Sequence, residues 1–210
     1  MGMLTAIQER RSIRKFMNKP VDAQIMLKLI RLSRLYPSAG NRQSIRFGVI
    51  AGEQRNEVFH CLKWAAYLPD FEILPSQRPA AYIFLLTREG VDRFVPFEAG
   101  AAAATLMLAA QAYGLSTCCL GIADDNKVRK ILNLPHPYEP IVTIAIGYGE
   151  QHGYVTEYQN SCRYYLDDNG NICVPKIDAD KLIICSDLDT ILMDQTAQSE
   201  SCDYAGEGEI

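Results

Sequence analysis

FEAGAAAATLMLAAQAYGLSTCCLGI, residues 97–122, divides at Gly114 into two elements of different period. Alanine is the strongest helix former, so Ala101-Ala102-Ala103-Ala104 followed by Leu106 to Ala110 predicts a helix over Phe97 to Tyr113, which Gly114 ends. This helix is apolar on every side, and such a helix must be covered all round, in a core or against another subunit. Leu115 to Ile122 then reads as a strand. Neighbours along a strand point to opposite faces, so a disulfide between Cys118 and Cys119 would be strained, and two buried structural thiols are expected.

Working outward, the same mixture of periods continues. Asp124 or Asp125 caps a helix running through Leu132, and Pro140 to Gly147 is a buried strand rich in Ile and Val. Upstream, Ala80 to Thr87 is apolar almost throughout, as a central strand should be, and Ile45 to Ala51 alternates as a second strand. Between them Val58, Leu62 and Ala65 have helical spacing over Glu57 to Ala66. Pro20-Val21-Asp22 opens an earlier helix with Asp22 as N-cap; Ile25, Leu29 and Leu32 form its buried face, with Lys28, Arg31 and Arg34 in water. Thr5 to Glu9 makes a short helix, and Tyr36 to Asn41 is a loop that Pro37 and Gly40 enforce. Beyond Gly153 the chain is more polar. Asp167 to Gly170 reads as a hairpin turn, leaving two apolar pieces, Ile172 to Val174 and Leu182 to Cys185. From Asp194 onward the residues are acidic, Ser- and Gly-containing and poor in large aliphatics, so residues 194–210 are expected to be a disordered tail. Strands and helices that mix without a strict repeat indicate an α+β domain over residues 1–193.

Composition narrows the partners. With 48% hydrophobic and 22% charged residues in 210, the chain is an ordinary globular one, and its net charge of -4 argues against nucleic acid or an anionic membrane as general partners. No apolar run approaches the length of a membrane span and no signal peptide is evident, so the cytoplasm is expected. Seven scattered Cys, none spaced C-x-x-C, and three distant His indicate reduced thiols and no metal site.

Two short clusters carry the chemistry. Arg10-Arg11-Ser12-Ile13-Arg14-Lys15-Phe16 gathers guanidinium forks that suit phosphate oxygens or an electron-rich ring, although a solvated basic turn would have the same composition. Pro37-Ser38-Ala39-Gly40-Asn41-Arg42-Gln43 combines a rigid turn with amides that both donate and accept, suited to the polar edge of a planar heterocycle; alone it is also a plain connection. In order and spacing these clusters resemble the opening of nitroreductase-family flavoproteins. The Ala-rich helix running into Gly114 to Gly121 and the strand ending Ile146-Gly147-Tyr148-Gly149 resemble later parts of that family, the likeness covering roughly residues 3 to 165.

The resemblance implies a central, largely antiparallel sheet flanked by helices in an intertwined homodimer, its residues 154–193 or so wrapping onto the partner. It further implies FMN as cofactor and NADH or NADPH as hydride donor to flavin N5, with a small organic acceptor such as a nitroaromatic or quinone taking the electrons. No side chain need act as acid or base. Arg10, Arg11 and Ser12 look like the residues that hold the phosphate and ribityl chain, and Arg14 like the cation beside the pyrimidine end of the ring, where positive charge favours the reduced cofactor. Pro37, Ser38, Ala39, Asn41 and Gln43 resemble the loop that reaches a flavin bound mainly by the other subunit. Leu120 and Gly121 resemble the segment near N5, and Arg163 a late basic residue of the phosphate site. Ser44-Ile45 stands where the family often has Pro and an aromatic residue, and Glu98 where Asp is frequent. The same resemblance admits dehydrogenase, dehalogenase or flavin-fragmenting chemistry, and an FMN binder without turnover. Two other likenesses fail. Gly147-Tyr148-Gly149 lacks the third glycine of a dinucleotide fingerprint, and too little chain follows Asp187 and Asp189 for a phosphatase of the haloacid-dehalogenase kind.

Overall fold

In the computed structural model residues 2–88, 93–184 and 186 are described. The sequence folds into the expected α+β pattern. Its centre is a four-stranded sheet of order β1-β2-β4-β3, with β1 Arg46–Ala51, β2 Ala81–Arg88, β3 Ser116–Leu120 and β4 Tyr138–Gly147, and every neighbouring pair is antiparallel. β2 is buried from Ala81 to Thr87 because it lies inside the sheet with helices against both faces. Its alternate residues serve separate cores. Ile83 and Leu85, with Ile144 and Ile146 of β4, pack under α2 (Ala23–Ser33) and α4 (Val95–Ala112). Tyr82, Phe84 and Leu86 meet Val58 of α3 (Arg55–Phe59) and Val128 of α5 (Asp125–Ile131) on the opposite face. This is the strand period of two feeding two cores.

Local signals place most boundaries. The Asp22 carboxylate accepts the Gln24 N–H at 2.8 Å to open α2, and Asp124 accepts from Lys127 at 2.9 Å to open α5. α1, Met3–Glu9, precedes an extended segment that runs beside β3, with the Ile13 N–H donating to the Thr117 carbonyl. Phe16 is fully buried, and a Cβ on Gly147 would stand 2.9 Å from its ring, so β4 ends on glycine where that ring crosses it. A three-stranded sheet of order β5-β7-β6 follows, from β5 Gly153–Glu157, β6 Tyr165–Leu166 and β7 Ile172–Lys176, before α6, Ala179–Leu182. The hairpin turn before β7 is held by Asp167, which accepts the N–H groups of Asn169 and Asn171. By compactness the chain divides into a large unit, residues 1–156 with 163–174, and a small one, residues 157–162 with the described part of 175–210.

Several expectations are corrected. The buried stripe of α2 is Met26, Leu29 and Ser33, whose hydroxyl donates to the Ala102 carbonyl, while Leu32 turns outward at 39% exposure. Leu62 and Ala65 lie outside any helix. Leu62 bridges to Ile122 and the Lys63 N–H donates to the Gly121 carbonyl, so long-range backbone pairing replaces the helical ladder after Phe59. Cys118 is buried but Cys119, on the opposite face of β3, is exposed. The Ala-rich helix is buried in its own chain along Val95, Glu98, Ala99, Ala102, Ala103, Leu106 and Ala110, while Phe97 is 66% exposed. Ile172, expected against a partner subunit, is wholly buried within its own chain, and Leu182 is the last residue of α6. The expected tail at residues 194–210 lies outside the described residues. Among the described residues no helix is long and apolar enough to cross a membrane.

Candidate functional site

The segment from Arg10 to Phe16 is extended, so its side chains alternate. Arg10, Ser12 and Arg14 are all close enough to Cys118 to act on its thiol, with Ser12 hydrogen-bonded to it, whereas Arg11 and Ile13 line the other side with Gln111, Ser116 and Gly153. The Arg11 guanidinium donates to the carbonyls of Arg10 and Gln8, which ties it to the end of α1 and away from the other two arginines. Burial is the first cause that pushes the Cys118 thiol up to about 11, so it remains a neutral, packed group.

Arg14 is only 8% exposed, yet neither it nor Arg10 is paired with a carboxylate among the described residues. Among the described residues its sole hydrogen bond is a long one, 3.4 Å from Nη1 to the Ser12 carbonyl, and its buried Nε has no acceptor. The Thr117 hydroxyl beside Ser12 is likewise buried and unbonded. Buried cations are costly unless an anion or an acceptor compensates them. Two guanidinium groups converging without a carboxylate therefore make a site for an anionic or electron-rich ligand. Leu120 ends the same strand, about 10 Å beyond Thr117 at the usual rise per residue, and Gly121 follows it. Leu120 is buried, and the Gly121 carbonyl already accepts from Lys63. The Arg163 guanidinium lies over the Tyr67 ring, 5.5 Å from its centroid, and Tyr67 adjoins Tyr164, which covers Arg14.

The loop Pro37 to Gln43 stands apart from these residues. Its anchor is Glu98, 1% exposed in the first turn of α4, which accepts the Ala39 N–H at 3.0 Å, the Ser44 N–H at 3.2 Å and a longer bond from the Tyr36 hydroxyl. The Tyr36 hydroxyl also accepts the Ile45 N–H, and burial raises its pKa, so it stays protonated and able to donate. Ser38 Oγ accepts the Gln43 N–H, and the Asn41 and Gln43 side chains bond to each other. Gly40, Asn41 and Gln43 all have positive φ, a conformation glycine and asparagine tolerate and glutamine adopts at a cost. Gly40 thus serves this backbone turn. Glu98 and Gln111, which mark the loop and the Arg11 face, are thirteen residues apart on α4, or about 20 Å at 1.5 Å per residue. Within one chain the arginine cluster and the loop therefore sit toward opposite ends of that helix.

Sequence reasoning noticed Glu98 only as a departure and passed over Tyr67 and Tyr164. A carboxylate in a helix otherwise made of small apolar residues was the available signal for the first; the tyrosines carried none.

The model of the nitroreductase family matches residues 7–148, more than half of the chain. Over 152 residues, 69% of this chain and 84% of the relative, the sequence is 24% identical to an Archaeoglobus fulgidus protein described as an NADH dehydrogenase/NAD(P)H nitroreductase. A solved structure of a Bacteroides thetaiotaomicron protein with the same description superposes with a TM-score of 0.64 at 22% identity, covering 89% of this chain and 99% of that one. An FMN-dependent nitroreductase from Clostridium difficile superposes with a TM-score of 0.60 at 21% identity, over 72% of this chain and 90% of that one.

Proposed function

Because this chain belongs to the nitroreductase family, we propose that it is an FMN-dependent oxidoreductase using NADH or NADPH. Bound FMN would supply the redox chemistry, accepting hydride from the nicotinamide and delivering electrons to a small organic acceptor such as a nitroaromatic or quinone. The observation that carries this reading is the pair Arg10 and Arg14, both near Cys118 of β3 and without a carboxylate partner among the described residues. The donor set fits the cofactor. Arg10 and Ser12 would take the phosphate and ribityl chain, while Arg11 is held against the end of α1 on the other side of the segment. Arg14, buried with an unbonded Nε, would hold negative charge at the pyrimidine edge. Leu120 and Gly121 would border the reactive edge, and Arg163 would add positive charge at the rim. The reaction needs no side-chain acid or base, so the chain's part would be binding, orientation and electrostatics.

We further propose a homodimer in the cytoplasm, with Pro37, Ser38, Ala39, Asn41 and Gln43 reaching the partner's flavin. Two observations support it: the separation of loop and arginines along α4, and the apolar surface left open on α1, α2 and α4 by Met3, Leu4, Ile7, Leu35 and Phe97. The decisive experiment is anaerobic addition of NADH or NADPH to purified, yellow protein. Rapid bleaching of the flavin band identifies a reductase; a bound flavin that neither nucleotide reduces identifies a passive binder, and a preparation that takes up no FMN removes the reading.

A further inference from the structure

The Arg14 guanidinium carbon lies 4.4 Å from the centroid of the Tyr164 ring. Tyr164 leans in turn on Tyr67, with ring centroids 5.1 Å apart and planes at 58°, and the Arg163 guanidinium covers Tyr67. The Tyr67 N–H donates to the Tyr164 hydroxyl at 3.4 Å, a second, weak tie between them. Four side chains thus alternate as cation, ring, ring and cation. All belong to the large unit.

A guanidinium offers two chemically different surfaces. Its faces attract the negative face of an aromatic ring, and its N–H groups lie in the plane. The Arg14 guanidinium thus sits over the face of the Tyr164 ring. Among the described residues only its Nη1 has an acceptor, and that at 3.4 Å. A long side chain held by nothing else would lose much of its rotamer freedom on binding a ligand, and a pre-seated ring removes part of that cost before the ligand arrives.

We propose that Tyr164, backed by Tyr67, is a positioning residue: its ring seats the Arg14 guanidinium so that the N–H groups lacking a close acceptor are presented to the flavin's pyrimidine edge. This rests on the flavin reading above. It differs from a packing role in one respect, namely that the effect of removing the ring vanishes once Arg14 is gone.

The test uses full-length Tyr164→Phe, Tyr164→Leu and Tyr67→Leu, each alone, and Tyr164→Leu combined with Arg14→Ala. Two quantities are read, the Kd of the apoprotein for FMN and the midpoint potential of the bound flavin. Tyr164→Phe should match the original protein within about twofold. Tyr164→Leu should weaken FMN by about tenfold, the scale of a desolvated cation–ring contact, and move the potential to more negative values. Tyr67→Leu should do the same to a smaller degree, and it carries the test should Tyr164→Leu fail to fold. The double variant should bind no more weakly than Arg14→Ala alone. Unchanged Kd and potential in the leucine variants overturn the proposal while leaving the flavin reading intact, as do losses that add fully to those of Arg14→Ala. Failure of the unaltered protein to bind FMN overturns both.

Discussion

Arg14 is the residue on which most of the proposed chemistry converges, and its energetics are simple. A charged hydrogen bond contributes about 1.5–3 kcal/mol, so Arg14→Ala should weaken FMN by roughly ten- to a hundred-fold and make the bound flavin harder to reduce. Titration of the apoprotein and a measured midpoint potential check this, and if both are unchanged Arg14 does not belong to the site. Cys118 beneath it makes a different prediction. Burial raises its thiol from the ordinary 9.0 to about 11, so the unfolded chain releases this proton first as pH rises. The stability contributed by the neutral thiol is intact below pH 9 and is lost between about pH 9 and 11. Urea denaturation through that window should show a shallower decline for Cys118→Ala than for the original protein; identical slopes would mean that the thiol does not titrate as described.

At the level of elements, α4 performs two tasks that its composition conceals. Its alanines allow the sheet and α2 to approach closely, while Glu98 in its first turn organises a loop 59 residues earlier in the chain. Removing a carboxylate that satisfies two backbone donors and a tyrosine leaves those groups without partners, at about 2–3 kcal/mol in total. Glu98→Ala should therefore lower the urea midpoint and also the FMN content, because Ser38 to Asn41 lose their fixed conformation. Glu98→Gln, which keeps one acceptor oxygen, should lose about half as much. A variant whose stability falls while flavin content is unaffected would detach this loop from the site. The structured loop also changes how Asn41 and Gln43 are understood. One bond joins their side chains, and it leaves the Asn41 amide NH2 and the Gln43 amide oxygen on the surface beside Ser38 and Ala39.

The whole molecule raises the question of assembly. A single chain covers one side of α4 and leaves Phe97, with Leu35 of the α2 C-terminal turn and Met3, Leu4 and Ile7 of α1, in water. Surface of this kind marks an association face. If the loop after α2 completes a flavin site in the partner, folding, dimerisation and cofactor binding are linked and the protein should sediment as a dimer even when dilute. FMN should then raise the melting temperature in step with dimer occupancy. A monomer with one tightly held FMN per chain in analytical ultracentrifugation would rule out the shared site and return the Pro37 to Gln43 segment to the role of a connection.

What local chemistry controls, the sequence determined by itself. Asp22 and Asp124 as caps, the Gly114 stop and the apolar run of Ala81 to Thr87 follow from composition and from interactions spanning a few residues. The order and spacing of the motifs were enough to identify the family. The tertiary structure alone decided the rest. Helical spacing at Leu62 and Ala65 yielded to backbone pairing with Gly121 to Ala123, because hydrogen bonds to a distant segment satisfy the same groups as a helix would. Leu32 and Met26 are equally apolar, and which of them faces inward depends on how α2 is rotated against α4. The support of Arg14 by Tyr164 joins residues about as far apart as the domain is long. No periodicity encodes such a contact, since it exists only once the sheet, the helices and the returning hairpin have brought the two side chains together.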